Sequence, residues 1–190
     1  MSPARPPARE RPDAQGAGAV PDVRDPRELR GAFGTFATGI TVVTVGGALP
    51  RGMTANSFTA VSLDPPLVLV CVGREAVMHQ VLLNAEHFAV SVLAADHREV
   101  ARHFADRSRP LGSGQFAVGD WRPGTVTGAP LLTGALAHFE CAGRARYDGG
   151  DHTVFLGEVL ALSRAPAGEA LLFAGGRFRN LAPEHAEAAA

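Results

Sequence analysis

The sequence predicts a mainly β fold, an antiparallel barrel with short helices at its ends. Three observations carry this. First, apolar or alternating runs of strand length recur: "ITVVTV" from Ile40, "LVLVCV" from Leu67 and "HFAVSVL" from His87, then the longer "ALAHFECAGRARY" from Ala135 and "HTVFLGEVLALSR" from His152. Second, turn residues punctuate them, with 22 Gly and 14 Pro in 190 residues, and "DGGD" joins the two long runs as a hairpin. Third, strands and helices do not alternate regularly, which disfavours a doubly wound parallel sheet.

The elements follow in order. Residues 1–24 are rich in Pro, Ala, Arg and Gly and hold almost no large apolar groups, so a disordered tail is expected there and again over 183–190, around a single domain at 25–182. Order begins with a helix. Asp25 suits its N-cap, Pro26 its first position and Glu28 the capping box, and Leu29, Ala32, Phe33, Phe36 and Ala37 follow helical spacing up to a stop at Gly39. That spacing makes Phe36 a core residue. "ITVVTV" is then a β-branched strand and "GGALP" a turn. "RGMTANSFTAVSLDPP" follows as one or two strands with a bend at "LDPP". Residues 76–84 and 96–104 read as short helices, the second capped by Asp96, with the strand 87–93 between them. Residues 105–130 read as loop. The two long strands follow, and "ALLFAGG" (170–176) is the last strand.

The formal net charge is -1, so no global basic field points to nucleic acid or a membrane surface. All 18 positive residues are Arg. Anionic ligands must therefore be met by Arg, hydroxyls or backbone N–H groups, and no Lys Schiff base is available. The two cysteines, Cys71 and Cys141, lie in apolar strand-like runs with no CxxC, which suits buried thiols in a reducing cytosol, though a disulfide stays open. No signal-peptide h-region and no transmembrane-length apolar stretch is expected, and the location expected is cytoplasmic. The seven histidines (His79, His87, His97, His103, His138, His152, His185) show no metal-ligand spacing, and no metal is expected. GxSxG, HExxH, Walker A and dinucleotide GxGxxG motifs are absent from suitable contexts.

Three clusters stand out. In "GMTANSFTAVS" small polar residues (Thr54, Asn56, Ser57, Thr59, Ser62) are laced with Phe58 and Val61. On composition alone this is a solvated strand face or a set of side-chain turns. The alternative is a ligand-facing run. A flavin ring has an apolar body and a polar edge, and hydride transfer between stacked rings asks the protein for orientation rather than a strong acid or base. The second cluster is "DGGDHT", where His152 and Asp151 form a pocket rim or merely a strand start. The third is "GGRFRN", where Arg177 and Arg179 flank Phe178 as an anion clamp or a solvated end.

Taken in order, "FATGITVVTV", "GMTANSFTAVSLDPPLVLVCV", "HFAVSVL", "GAPLL", "GDHTVFLGEV" and "LLFAGGRFRNL" resemble the flavin reductase family of the FMN-binding split-barrel fold, over about residues 27–182. The resemblance implies a six-stranded antiparallel Greek-key split β-barrel with short flanking helices, forming a homodimer. It implies FMN or FAD bound near the dimer interface, a hydride from NADH or NADPH, and delivery of reduced flavin to a partner flavin-dependent monooxygenase.

By motif, it implies that Met53, Thr54, Ala55, Asn56 and Ser57 line the flavin ring and that Ser62 reaches its ribityl or phosphate end. His152, with Asp151, would contact the nicotinamide or exclude water. Phe178 and Phe36 are candidate walls for the stacked rings. The segment after Val72, expected to carry phosphate-binding hydroxyls, instead reads "GREAVMHQ". Arg74 and the first N–H groups of the helix there compensate, with Arg107 or Arg109 as a further choice. A flavin carrier with little reductase activity, or a flavoenzyme acting directly on an organic substrate, are the competing functions.

Overall fold

A computed structural model of the chain describes residues 22–181. The expected tails, apart from residues 22–24, lie outside these, as does His185. In chain order the elements are helix α1 (Pro26–Phe33), strands β1 (Thr38–Gly39), β2 (Thr41–Val45), β3 (Arg51–Ala55), β4 (Thr59–Leu63) and β5 (Pro66–Gly73), helix α2 (Val77–Asn84), strand β6 (His87–Val92), helix α3 (Arg98–Ala105), strands β7 (Trp121–Pro123), β8 (Pro130–Leu132), β9 (Ala137–Gly149), β10 (His152–Arg164), β11 (Leu172–Ala174) and β12 (Arg177–Arg179).

The fold is mainly β and antiparallel. The large sheet runs β3-β2-β6-β9-β10-β5-β4, every neighbour antiparallel. Where the resemblance implies six strands, this sheet carries β4 as a seventh at its edge. Chain neighbours β2 and β3, β4 and β5, and β9 and β10 pair as hairpins. The step from β5 to β6 instead crosses over β10 and β9, with α2 in the connection. Beyond β3 the sheet meets itself. The Ser57 hydroxyl donates to the Cys71 carbonyl (2.8 Å) and accepts from the Cys71 N–H (3.1 Å), so one side chain bridges the seam between the end of β3 and β5.

The barrel interior follows from strand alternation. Val68, Val70 and Val72 point inward from β5, Val43 and Val45 from β2, and Phe88 and Val90 from β6. Met78 and Leu82 of α2 plug this core. Strand β2 is buried on both faces, because Val42 packs outward into a second cluster with Val100, Ala101 and Phe104 of α3. The spacing of those three residues puts them on one helical face.

Several expectations need correction. Helix α1 ends at Phe33 with Gly34 as its cap, so Phe36 leaves the helical face and stands 78% exposed rather than in the core. No residue of α1 is buried. Helix α3 is preceded by His97 rather than capped by Asp96, and the His97 ring accepts from the Ala94 N–H at 3.2 Å. The segment 105–130 holds a 3-10 turn (Gly112–Ala117) and β7. Its order comes from Gln115, which is fully buried. The Gln115 amide donates to the carbonyls of Pro50 and Gly112 and accepts from the Gly52 N–H, pinning the loop to β3. Strand β12 was not anticipated either. It pairs with β11 through a turn at Gly175 and Gly176, both at positive φ.

Candidate functional site

A cavity of about 580 Å³ opens where β3, the N-terminus of α2, the end of α3 and the β9–β10 hairpin converge. Met53, Thr54, Ala55, Asn56, Ser57, Arg74, Asp151 and His152 all line it, so one volume gathers most of the residues singled out in the sequence. Arg107 and Arg109 line it together.

Three expected residues do not line it. The Ser62 hydroxyl is turned into its own chain, donating to the Asp64 carbonyl (3.1 Å) and accepting from the Asp64 N–H (3.2 Å). It braces the bend before the cis Asp64–Pro65 bond. Phe178 packs edge-on against Phe173 and under Arg102, in the cluster that holds Val100, Ala101 and Phe104 of α3, and does not line the cavity. Phe36 does not line the cavity either.

Hydrogen bonding limits what the polar run can offer a ligand. Thr54 donates its only hydroxyl proton to the Ala101 carbonyl at 2.7 Å, tying β3 to α3. Ser57 spends its proton on Cys71. Both can accept one more hydrogen bond, but neither can donate one. Asn56 is exposed and its amide is uncommitted among the described residues, so side-chain donors on this run reduce to Asn56. Met53, Ala55, Met78 and Phe104 supply an apolar wall. The uncapped N-terminus of α2 adds N–H groups, since Ala76 caps without a side-chain bond and Ala76, Val77 and Met78 border the cavity.

The hairpin end is built around His152. Its turn is Gly150–Asp151, with Gly150 at φ +75, a left-handed conformation that a side chain would strain. Arg74 holds this turn, its Nε donating to the Gly150 carbonyl and its Nη2 to Asp148 (2.9 Å each), while its backbone N–H bonds Asp151. The guanidinium expected to meet phosphate is therefore largely engaged as a brace. The His152 ring bonds Asp151 through Nδ1 at 2.7 Å, and this bond, with the charge of the ring, holds the Asp151 carboxyl below its usual range. In the tautomer that donates from Nδ1 to this carboxylate, Nε2 is left free as an acceptor. His152 faces Gly73 directly across the β10–β5 pair, its imidazole packed over the glycine.

Among the lining residues that sequence reasoning did not single out are Arg30, Arg51, Cys71 and Phe104. Five arginines (Arg30, Arg51, Arg74, Arg107, Arg109) face two carboxylates (Glu75, Asp151) in this cavity. The local field is positive in a chain of net charge -1. Their separation in the sequence, across four elements, hid the cluster. Among the described residues no three His, Cys, Asp or Glu side chains converge as a metal site, and no helix is long and apolar enough to cross a membrane.

Comparisons with known proteins agree with this geometry. The model of the flavin reductase like domain matches residues 33–182. The chain is 60% identical over 163 residues to an NADH-dependent FAD reductase of Streptomyces globisporus, covering 86% of this chain and 90% of that one. The solved NADH:FAD oxidoreductase of Streptomyces globisporus, in complex with NAD and FAD fragments, superposes with a TM-score of 0.84 at 58% identity, covering 88% of this chain and 99% of that one. The flavin reductase component of a bacterial two-component tryptophan halogenase gives 0.80 at 55% identity, covering 83% and 98%. With its antiparallel barrel, its arginine-rich cavity and these matches, the chain belongs to the flavin reductase-like domain family.

Proposed function

We propose that this chain is an NADH:flavin oxidoreductase that reduces FAD or FMN and supplies reduced flavin to a partner flavin-dependent monooxygenase. The observation that carries the reading is the single cavity in which an apolar wall, ring-edge acceptors, His152 and an excess of arginine meet. It suits a flat heteroaromatic ring attached to phosphate. Related proteins are named for NADH, one at 60% identity with FAD and one at 41% identity with FMN, which favours NADH over NADPH and, by the higher identity, FAD over FMN.

A flavin bound here supplies the two-electron acceptor for a nicotinamide hydride. The residues of this chain orient and shield. Met53, Ala55 and Met78 offer one apolar face. Asn56 and free backbone N–H groups donate to the carbonyls of the ring edge, while Ser57 and Thr54 accept from its N–H. His152, fixed by Asp151, presents Nε2 as an acceptor for a carboxamide N–H and keeps water from the reacting faces. It is not required as a proton donor. Arg30 and Arg107 draw anionic nucleotides inward.

A homodimer in the cytosol fits this reading. Phe33 and Phe36 on the leading segment and Leu63 at the end of β4 are exposed at 71%, 78% and 96%, and a second copy would cover such groups.

The test is steady-state oxidation of NADH and NADPH by purified protein with riboflavin, FMN or FAD added. NADH oxidation rising to saturation with FAD is expected. Flavin retention without oxidation of either nicotinamide would instead make the chain a flavin carrier.

A further inference from the structure

Arg51 opens β3 and Arg109 follows α3, and both are more than nine-tenths buried, with 6% and 8% of their surface exposed. Both line the cavity. The Arg109 guanidinium lies 5.5 Å from the centre of the Phe104 ring and donates to the carbonyls of Gly52 and Asp106. Its Nε has no partner among the described residues, nor do Nε and Nη1 of Arg51.

Among the described residues no carboxylate pairs with either arginine. Asp106 is adjacent in sequence, but its carboxylate is taken by the backbone N–H and hydroxyl of Ser108. Burial, and after it the charge of Arg51, pull the pKa of Arg109 down to about 10, which leaves both side chains charged at neutral pH. Two buried cations with three unpartnered nitrogens are unfavourable on their own, because buried charge needs a counter-charge. An anion entering the cavity supplies it.

We propose that Arg51 and Arg109 form an anion subsite that grips the phosphate groups of a bound nucleotide. The proposal rests on the nucleotide-binding reading above. The forked guanidinium geometry suits a phosphate or pyrophosphate better than a carboxylate-free apolar tail. Position supports this. Arg51 and Ala55 stand at opposite ends of β3, roughly 13 Å apart at about 3.3 Å per residue. A long ligand can therefore reach the arginine pair with its phosphates while its ring lies further along the strand. The subsite also answers for the segment after Val72, which lacks hydroxyls and whose arginine, Arg74, is engaged with the hairpin.

The test is equilibrium binding to the full chain and to Arg51→Gln, Arg51→Lys and Arg109→Gln, using riboflavin, FMN, FAD and NAD, with inorganic pyrophosphate followed by its effect on melting temperature. The proposal predicts at least tenfold weaker FAD binding to Arg51→Gln and Arg109→Gln, riboflavin affinity within about twofold of wild type, and partial recovery in Arg51→Lys. It also predicts that pyrophosphate raises the melting temperature of the wild type but not of Arg51→Gln. Loss confined to FMN and FAD assigns the subsite to flavin phosphate, loss that extends to NAD makes it common to both nucleotides, and loss confined to NAD overturns the proposal.

Equal weakening of riboflavin and FAD, or no weakening of any nucleotide, overturns the proposal. Arg109→Gln gives up two bonds to backbone carbonyls, so Arg51→Gln carries the test alone if that variant does not fold. A wild-type protein that binds no flavin defeats the functional reading itself. Tight wild-type binding that survives both substitutions defeats only the subsite.

Discussion

Ser57→Ala is expected to loosen the barrel at the edge of the candidate site. The Ser57 hydroxyl makes two hydrogen bonds to one residue of β5, donating to the Cys71 carbonyl at 2.8 Å and accepting from its N–H at 3.1 Å. They stand where β3 and β5 have no ladder of their own. Each such bond is worth about 0.5–1.5 kcal/mol net, so the substitution costs about 1–3 kcal/mol. For a chain of this length that corresponds to a fall of about 2–12 °C in melting temperature. Thermal unfolding of the flavin-free protein, followed by circular dichroism, reads it directly. Ser57→Thr keeps the hydroxyl and should recover most of the loss. A melting temperature for Ser57→Ala within about 1 °C of wild type would show that the seam does not depend on this side chain, and the donor-acceptor assignment for the ring edge would fall with it.

Other predictions follow from single contacts. Glu140 is 4% exposed and accepts from the N–H groups of Thr125, Val126 and Thr127 and from two threonine hydroxyls. Burial alone would raise its pKa, but these bonds outweigh burial and hold it below the usual value. The stabilisation it provides is therefore complete above the unfolded-state value of about 4.3 and is lost as pH falls through the lower folded value. Glu140→Gln should cost about 2–4 kcal/mol at neutral pH and flatten acid unfolding below pH of about 4.3, and an unchanged acid transition would count against the assignment. At Gly157 an added Cβ would lie 2.4 Å from the buried Phe88 ring, so Gly157→Ala should lose about 1–3 kcal/mol in a denaturant melt. The thiols should differ as well. Cys141 is fully buried with its pKa pushed up to about 12, whereas Cys71 lines the cavity. Alkylation should reach Cys71 first, and saturating FAD should slow it. A Cys71 rate indifferent to FAD would place the flavin elsewhere.

Strands were legible in the sequence wherever burial on one or both faces imposed a pattern. Leu67 to Val72 and the paired runs on either side of "DGGD" became β5, β9 and β10 close to their expected limits. Short strands were not legible. Three-residue β7 carries no periodicity and forms only by pairing with β8, while the turn before it is ordered by the Gln115 amide reaching back to Pro50, a contact across 65 residues. Phe36 misled because helical spacing says which face is apolar, not where the helix stops. Met53 to Ser57 reach the cavity together because they are contiguous. Ser62 lies off it, its hydroxyl claimed by a local turn. Of the arginine cluster, Arg74 and the pair Arg107 and Arg109 were legible, but Arg30 and Arg51 were not, because they come from distant parts of the chain and join the others only after folding.

The central claim is that flavin bound in this cavity is reduced by a nicotinamide. An anaerobic stopped-flow experiment, mixing protein saturated with FAD against NADH, measures this in a single turnover. The account predicts rapid bleaching of the visible flavin absorbance, with one NADH consumed per flavin, and a slower rate in His152→Ala. Flavin that stays bound and oxidised in the presence of both NADH and NADPH would contradict it.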